Sequence, residues 1–299
     1  LKKEFDAFCL HTDWLPDYAM FMAIKKSKKG AHWLNWEKKY RKPTKSQKAV
    51  IERELYEEIC YEKFLQWLFF RQWTALKEYA NEQGILFIGD IPIFVAGDSA
   101  DVWSQPKLFQ LDKDGFPVVV AGVPPDYFSS TGQLWGNPLY NWDVHRNSGY
   151  EWWVKRIANC FRLYDVVRID HFRGFDEYYA IPYGDKTAEN GWWEKGPGIE
   201  LFRTISEKLG HREIIAEDLG YMTDTVKRLV EESGYPNMKV IEFAFDERDT
   251  GNASDYLPHN YPRNCVVYTG THDNETLVSW LDNITPQECR QVRKYLNNF

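Results

Sequence analysis

The sequence predicts an α/β protein built on a (β/α)8 TIM-type barrel with inserted subdomains, and three observations carry that reading. Five short apolar runs end in carboxylates, several of the stretches between them have helical spacing, and no glycine-rich phosphate turn follows any of them. A strand buried on both faces reads as a Val/Ile-rich run that stops at a polar rim, and strand, helix, strand is the unit of a parallel sheet. A doubly wound sheet would carry a GxGxxG or GKS/T turn after its first strand, and neither occurs here. A barrel instead gathers polar residues from several strand ends at one rim.

In chain order, the first eighty or so residues read as helical. Residues 45–81 place Ile51, Leu55, Ile59, Phe64, Leu68 and Leu76 near a 3.6-residue period, with Gly84 as the stop. Strands are expected at 85–88, 165–170, 213–218, 239–246 and 265–273, and helices at 151–163, 198–209, 223–233 and from Pro286 onward. Five strands are fewer than a closed barrel needs, so residues 1–299 are expected to form a partial catalytic barrel domain. Within it, 1–83 is expected to be a helical insertion leading into the barrel. Residues 97–150, rich in Gly, Pro and aromatics and with a hairpin-like stretch from Asp114 to Val120, are too long for a simple crossover and are expected to cover substrate.

Composition bounds the function. With 43% hydrophobic and 27% charged residues and a mean hydropathy of −0.56, the chain is neither a disordered segment nor a membrane protein. Between Lys25 and Lys48 ten Lys/Arg face one acid, yet the net charge is −7. Without a groove-reading motif, the basic stretch reads as a solvated face and no nucleic-acid partner is expected. Cys9, Cys60, Cys160, Cys265 and Cys289 show no CxxC spacing, as in a reducing compartment, and a cytoplasmic protein without a membrane partner is expected. Thirteen Trp, 18 Tyr and 18 Phe are more than a core of this size needs, so some rings should line a functional surface.

The chemistry concentrates at the strand ends. Asp170 closes one run, and Arg168 two residues earlier shares its side of the strand, where a guanidinium would hold Asp170 ionised as a nucleophile requires. Glu217 follows an apolar run and has the surroundings of a carboxyl kept protonated, the general acid/base. Asp273, beside His272, could grip sugar hydroxyls and stabilise positive charge on the ring. One carboxylate kept ionised and one kept protonated is the equipment of retaining glycosidic cleavage. The loop 122–142 offers Tyr127, Phe128, Trp135, Tyr140 and Trp142 interleaved with Asp126, Gln133 and Asn137, a pattern suited to stacking and hydrogen-bonding sugars. A metal site is the rival use of Asp170 with His171, Glu217 with Asp218, and His272 with Asp273, although HExxH and HxH spacings are absent. Serine chemistry lacks its GxSxG elbow.

Residues 89–96 and 98–103, the loop 122–140, residues 167–174, 216–220 and 271–274 together resemble the 4-α-glucanotransferases (amylomaltases, disproportionating enzymes) of the α-amylase clan. The resemblance implies Asp170 as nucleophile, Glu217 as acid/base and Asp273 as transition-state stabiliser, supported by Arg168 and His272. It implies Asp90 near the scissile sugar, and Asp126, Tyr127, Phe128, Gln133 and Trp135 in a loop covering the acceptor side. Asn137, His171 and Asp218 complete the substrate-binding candidates. The implied partner is an α-1,4-glucan, maltooligosaccharide or starch-type, with no cofactor and no metal. Water as acceptor would make the same acids a hydrolase, and a silent glucan-binding protein is the remaining alternative. Family members carry segments ahead of Leu1 and beyond Phe299, so residues 1–299 alone are expected to fold poorly or to be inactive.

Overall fold

Among the described residues nine strands form two sheets: β1 (Ile88–Ile91), β2 (Val119–Val123), β3 (Gln133–Pro138), β4 (Val166–Ile169), β5 (Glu177–Pro182), β6 (Trp192–Lys195), β7 (Ile214–Ala216), β8 (Asn237–Val240) and β9 (Cys265–Tyr268). The computed structural model describes residues 1–126, 129–220, 222–246 and 253–296. Two units divide it: Leu1–Phe87, Phe94–Asp165 and Tyr179–Glu194 in the first, Ile88–Ile93, Val166–Tyr178 and Lys195–Phe299 in the second.

The second unit holds a parallel five-stranded sheet in the order β1-β4-β7-β8-β9, built from the five expected runs. Two strands sit elsewhere than expected. β1 begins at Ile88 rather than Ile85 and takes in Gly89 and Asp90, because Asp90 lies opposite Arg168 in the register and its charge is answered within the sheet. β8 begins at Asn237, and the apolar residues expected to continue it turn into a 3-10 helix, Ile241–Phe245. That turn buries Ala244 and Phe245 against Tyr256 and Val292. The apolar run was therefore two elements, since periodicity alone does not separate a buried strand from a buried turn.

Helices flank these strands where spacing and caps place them. Ile199–Leu209 follows Gly198, and Asp224–Ser233 is capped by the Thr223 side chain and ends at Gly234 in the left-handed region. Pro286–Tyr295 opens with a capping box of Thr285 and Glu288. Phe172 stacks on Phe202 at 4.7 Å, tying the residues after β4 to helix Ile199–Leu209.

In the first unit the expected 45–81 helix is two, Lys45–Glu54 and Tyr56–Glu82, with Leu55 leaving helical geometry between them. Helix Glu151–Leu163 stands as expected. Residues 97–150 hold more regular structure than their composition suggests: β2, β3 and the helices Ala100–Ser104 and Trp142–Asn147. The hairpin-like stretch closes on Asp112, whose Oδ1 accepts the N–H of Asp114 and of Phe116 at 2.8 and 2.9 Å. A second sheet, ordered β3-β2-β5-β6, spans these residues, with β2 antiparallel to both β3 and β5.

Gly122 sits on β2 where a side chain has no room: a Cβ there would collide with the Gln133 carbonyl oxygen of β3 and the Ile181 side chain of β5. Gly122→Ala is expected to cost about 1–3 kcal/mol, the usual range for overpacking. A thermal melt of the variant checks it, and an unchanged midpoint would contradict this packing.

The aromatic excess is mostly structural. Tyr140 is fully buried, with the rings of Phe94, Phe109, Trp142, His145, Trp152 and Trp153 all within 5.8 Å of its own. Tyr140 and Trp142, expected to face sugar, belong to this core instead. The early Trp33, Trp36 and Trp67 are packing residues. Much of the basic stretch is spent locally: Lys25 pairs with Asp98, Lys28 with Glu37 and Lys48 with Asp17, while Lys28 and Lys39 lie over Tyr40. Among the described residues no helix is long and apolar enough to cross a membrane.

Candidate active site

Parallel pairing builds the site at one end of the five-stranded sheet, wholly within the second unit. Asp90 of β1 lies beside Arg168 of β4, and Ile169 of β4 beside Ala216 of β7, so Asp170 and Glu217 are adjacent first residues past their strands. The ladder continues into these ends: Asp170 donates its N–H to the Ile91 carbonyl at 2.9 Å, and Glu217 to the Ile169 carbonyl at 3.1 Å. Both acids are thus fixed by backbone before any side chain is considered.

Arg168 is the cation of the site. Its Nη1 donates to both carboxylate oxygens of Asp90, each at 2.7 Å, and lies 3.0 Å from Asp170 Oδ1. On the far side of the guanidinium, Nε points at the thioether sulfur of Met238, 3.2 Å away. Burial raises the Asp170 carboxyl above its ordinary value, with the Asp90 and Asp273 charges adding to the rise and Arg168 opposing it. The guanidinium that the sequence places beside Asp170 therefore tempers a burial effect and does not lower the carboxyl outright.

Among the described residues Glu217 has no such direct pair. It is buried, and its two oxygens accept the N–H of His171 at 2.6 Å and of Leu219 at 2.9 Å. Burial pushes its carboxyl up to about 7, the nearby Asp170 charge reinforcing the shift while the two N–H groups and Arg168 oppose it. Of the two acids Asp170, with its direct ion pair, loses its proton first.

His171 has a left-handed backbone, φ 53°, uncommon for a residue with a Cβ, and this turns its N–H onto Glu217. Burial holds its imidazole neutral, lowering it to about 3 with help from the Arg173 charge. Asp218 faces away from Glu217's partners: its oxygens accept the Met238 N–H at 3.0 Å and the Asn237 amide at 3.2 Å. Asp273 and His272 occupy the turn after β9, both largely exposed, with His272 Nε2 3.6 Å from the Asp273 carboxylate. The Asp273 N–H donates to Thr271 Oγ1 at 3.3 Å, and Asn274 Oδ1 accepts the Thr271 N–H at 2.9 Å, which shapes the turn.

The loop candidates lie in the first unit. Asp126 Oδ1 accepts the Ser129 N–H at 2.7 Å, Gln133 Oε1 accepts the Trp135 indole N–H at 3.0 Å, and Asn137 donates to the Val95 carbonyl at 3.0 Å. Trp135 is 38% exposed, and its ring lies 6.4 Å from that of Phe94. Tyr127 and Phe128 lie outside the described residues. Sequence reasoning missed Met238, which falls just ahead of the strand expected at 239–246; alternation from Val240 back to Met238, both buried, is the signal that would have found it. Among the described residues no three His, Cys, Asp or Glu side chains group as a metal site.

Two carboxylates thus share one guanidinium nitrogen, beside a buried carboxyl pushed up to about 7. A family model described as 4-alpha-glucanotransferase matches residues 1–299. The chain belongs to the 4-alpha-glucanotransferase family. It is 52% identical over 270 residues to the 4-alpha-glucanotransferase of Clostridium butyricum, covering 90% of this chain and 55% of that one. It is 50% identical over 287 residues to that of Thermus thermophilus, covering 95% and 56%. The chloroplastic/amyloplastic 4-alpha-glucanotransferase of Solanum tuberosum is 45% identical over 291 residues, at 96% and 49% coverage. The chain thus spans about half the length of these glucanotransferases.

A solved amylomaltase from Streptococcus agalactiae, in complex with acarbose, superposes with a TM-score of 0.94 at 44% identity, over 100% of this chain and 60% of that one. The amylomaltase of Corynebacterium glutamicum shares the fold, with a TM-score of 0.74 at 19% identity over 100% of this chain and 39% of that one. The fold class is accordingly α/β of the (β/α)8 barrel type, and the five-stranded parallel sheet of this glucanotransferase-family chain is part of such a barrel.

Proposed function

We propose that the protein is a retaining 4-α-glucanotransferase of the cytoplasm, which moves a segment of an α-1,4-glucan from a donor to the 4-hydroxyl of an acceptor glucan or glucose. The observation that carries this reading is the contrast between two neighbouring acids, Asp170 ion-paired to Arg168 at 3.0 Å and Glu217 buried with its carboxyl pushed up to about 7. In the first step Asp170 attacks the anomeric carbon while Glu217 gives its proton to the departing glycosidic oxygen, leaving a glycosyl ester on Asp170. In the second, Glu217 takes the proton of the acceptor 4-hydroxyl, which attacks the same carbon and frees Asp170. Asp273 stabilises the positive charge on the ring in both steps, and Asp90 shares Arg168 with the nucleophile. Residues 97–150 serve as the substrate-covering region, and 1–83 lead into the barrel.

Maltotriose separates this reading from hydrolysis. The full-length protein is expected to turn it into glucose and a ladder of longer maltooligosaccharides, followed by chromatography. Glucose and maltose without longer products would mean that water is the acceptor, and an unchanged substrate would leave a binding protein.

A further inference from the structure

Arg168 carries a heavier charge load than one guanidinium answers. Its Nη1 serves Asp90 and Asp170 together, and Glu217 adds its own field when ionised. Such a group works only if its plane is held, because a guanidinium free to swivel would settle on whichever carboxylate moves toward it. Its other end is held by a neutral atom: Nε lies 3.2 Å from the sulfur of Met238, which is 2% exposed. A carboxylate there would draw the cation off the nucleophile, and an aliphatic side chain would leave a buried N–H without an acceptor. A thioether meets the N–H and adds no charge.

Met238 is itself held. β8 pairs it with Val266 of β9, and its N–H donates to Asp218 Oδ1 at 3.0 Å. The Asp218 carboxylate, buried, also accepts the Asn237 side-chain amide at 3.2 Å, and Ala216 donates to the Pro236 carbonyl at 2.9 Å. The two consecutive acids after β7 thus divide their work: Glu217 turns to the residues after β4, and Asp218 fastens the start of β8.

We propose that Met238 is a positioning residue of the transfer reaction, seating the Arg168 guanidinium on Asp90 and Asp170 through its sulfur, with Asp218 as the anchor that fixes Met238. As a catalytic statement it rests on the transferase reading; as a structural one it does not. Three variants test it in the full-length protein. Met238→Leu keeps the volume and removes the acceptor. Met238→Gln restores a neutral acceptor, and Asp218→Asn weakens the anchor.

Met238→Leu is expected to lower kcat by about three- to tenfold, the effect of one lost hydrogen bond, with KM little changed. The acid limb of its pH profile should move up by about half a pH unit, because a loosened Arg168 opposes protonation of Asp170 less. Met238→Gln should recover most of kcat, and Asp218→Asn should move the acid limb in the same direction as Met238→Leu. A crystal structure of Met238→Leu should show Arg168 turned away from Asp170. The proposal is overturned if kcat and the acid limb stay at the wild-type values, or if that structure keeps Arg168 on both carboxylates. Should the wild-type protein fail to transfer glucan, the functional reading falls, and the crystal structure alone still decides whether Met238 seats Arg168.

Discussion

Asp170→Asn in the full-length protein is expected to reduce glucan transfer by more than about 10⁴-fold, because removing a covalent nucleophile costs more than removing any group that assists it. The amide keeps the size of the side chain but cannot form the ester, and it removes one of the two negative partners that Arg168 Nη1 serves. Substrate binding should survive the change, so KM, where measurable, and the melting temperature should stay near those of the wild type. Intact-mass spectrometry after incubation with a slowly turning donor should show a glycosyl adduct on the wild type and none on the variant. Near-native turnover by Asp170→Asn would remove Asp170 from the nucleophile's role and the retaining mechanism with it.

Glu217→Gln is expected to lower kcat by about 10²–10⁴-fold, the usual contribution of a positioned proton donor. The pH profile carries the sharper test. The wild-type rate should fall on the alkaline side near pH 7, where Glu217, pushed up to about 7 by burial, gives up the proton the leaving oxygen needs. The sign follows from which form works: the protonated acid starts the reaction, so raising the pH through that value removes it. In the variant the alkaline limb should vanish from the residual rate. A donor whose leaving group departs without protonation should restore the first step and let the glycosyl-enzyme accumulate, since the amide still fails to deprotonate the acceptor. An alkaline limb that persists in Glu217→Gln would assign it to another group.

Which parts of this site were legible in the sequence follows from what sequence patterns encode. Alternation along a strand put Arg168 and Asp170 on one side, and the 3.0 Å ion pair between them is that alternation made concrete. Apolar neighbours marked Glu217 as a raised carboxyl because burial, its main cause, is written in the residues around it. Partners contributed by another strand were not legible in this way. Asp90 reaches Arg168 through a parallel register, and Met238 through two further pairings; alternation within β8 marks Met238 as buried but not what it meets. The second sheet escaped in part for the same reason, since β2 meets β5 through residues about sixty apart in the chain. Aromatic count misled at Tyr140 and Trp142, because a ring suited to stacking on sugar is equally suited to stacking on other rings.

The sharing of Arg168 also bears on which sugars the rim admits. With Glu217 protonated, Asp90, Asp170 and Asp273 set three negative charges against the single positive charge of Arg168, so these groups hold a net excess of negative potential where the donor sugar would break. An uncharged glucose unit meets no penalty there and gains as its ring turns cationic. A phosphorylated sugar would bring like charge into a site with no second cation among these groups to receive it. Giving two carboxylates one guanidinium thus leaves this rim with a negative potential, one that suits a ring turning cationic better than a ring carrying an anionic group.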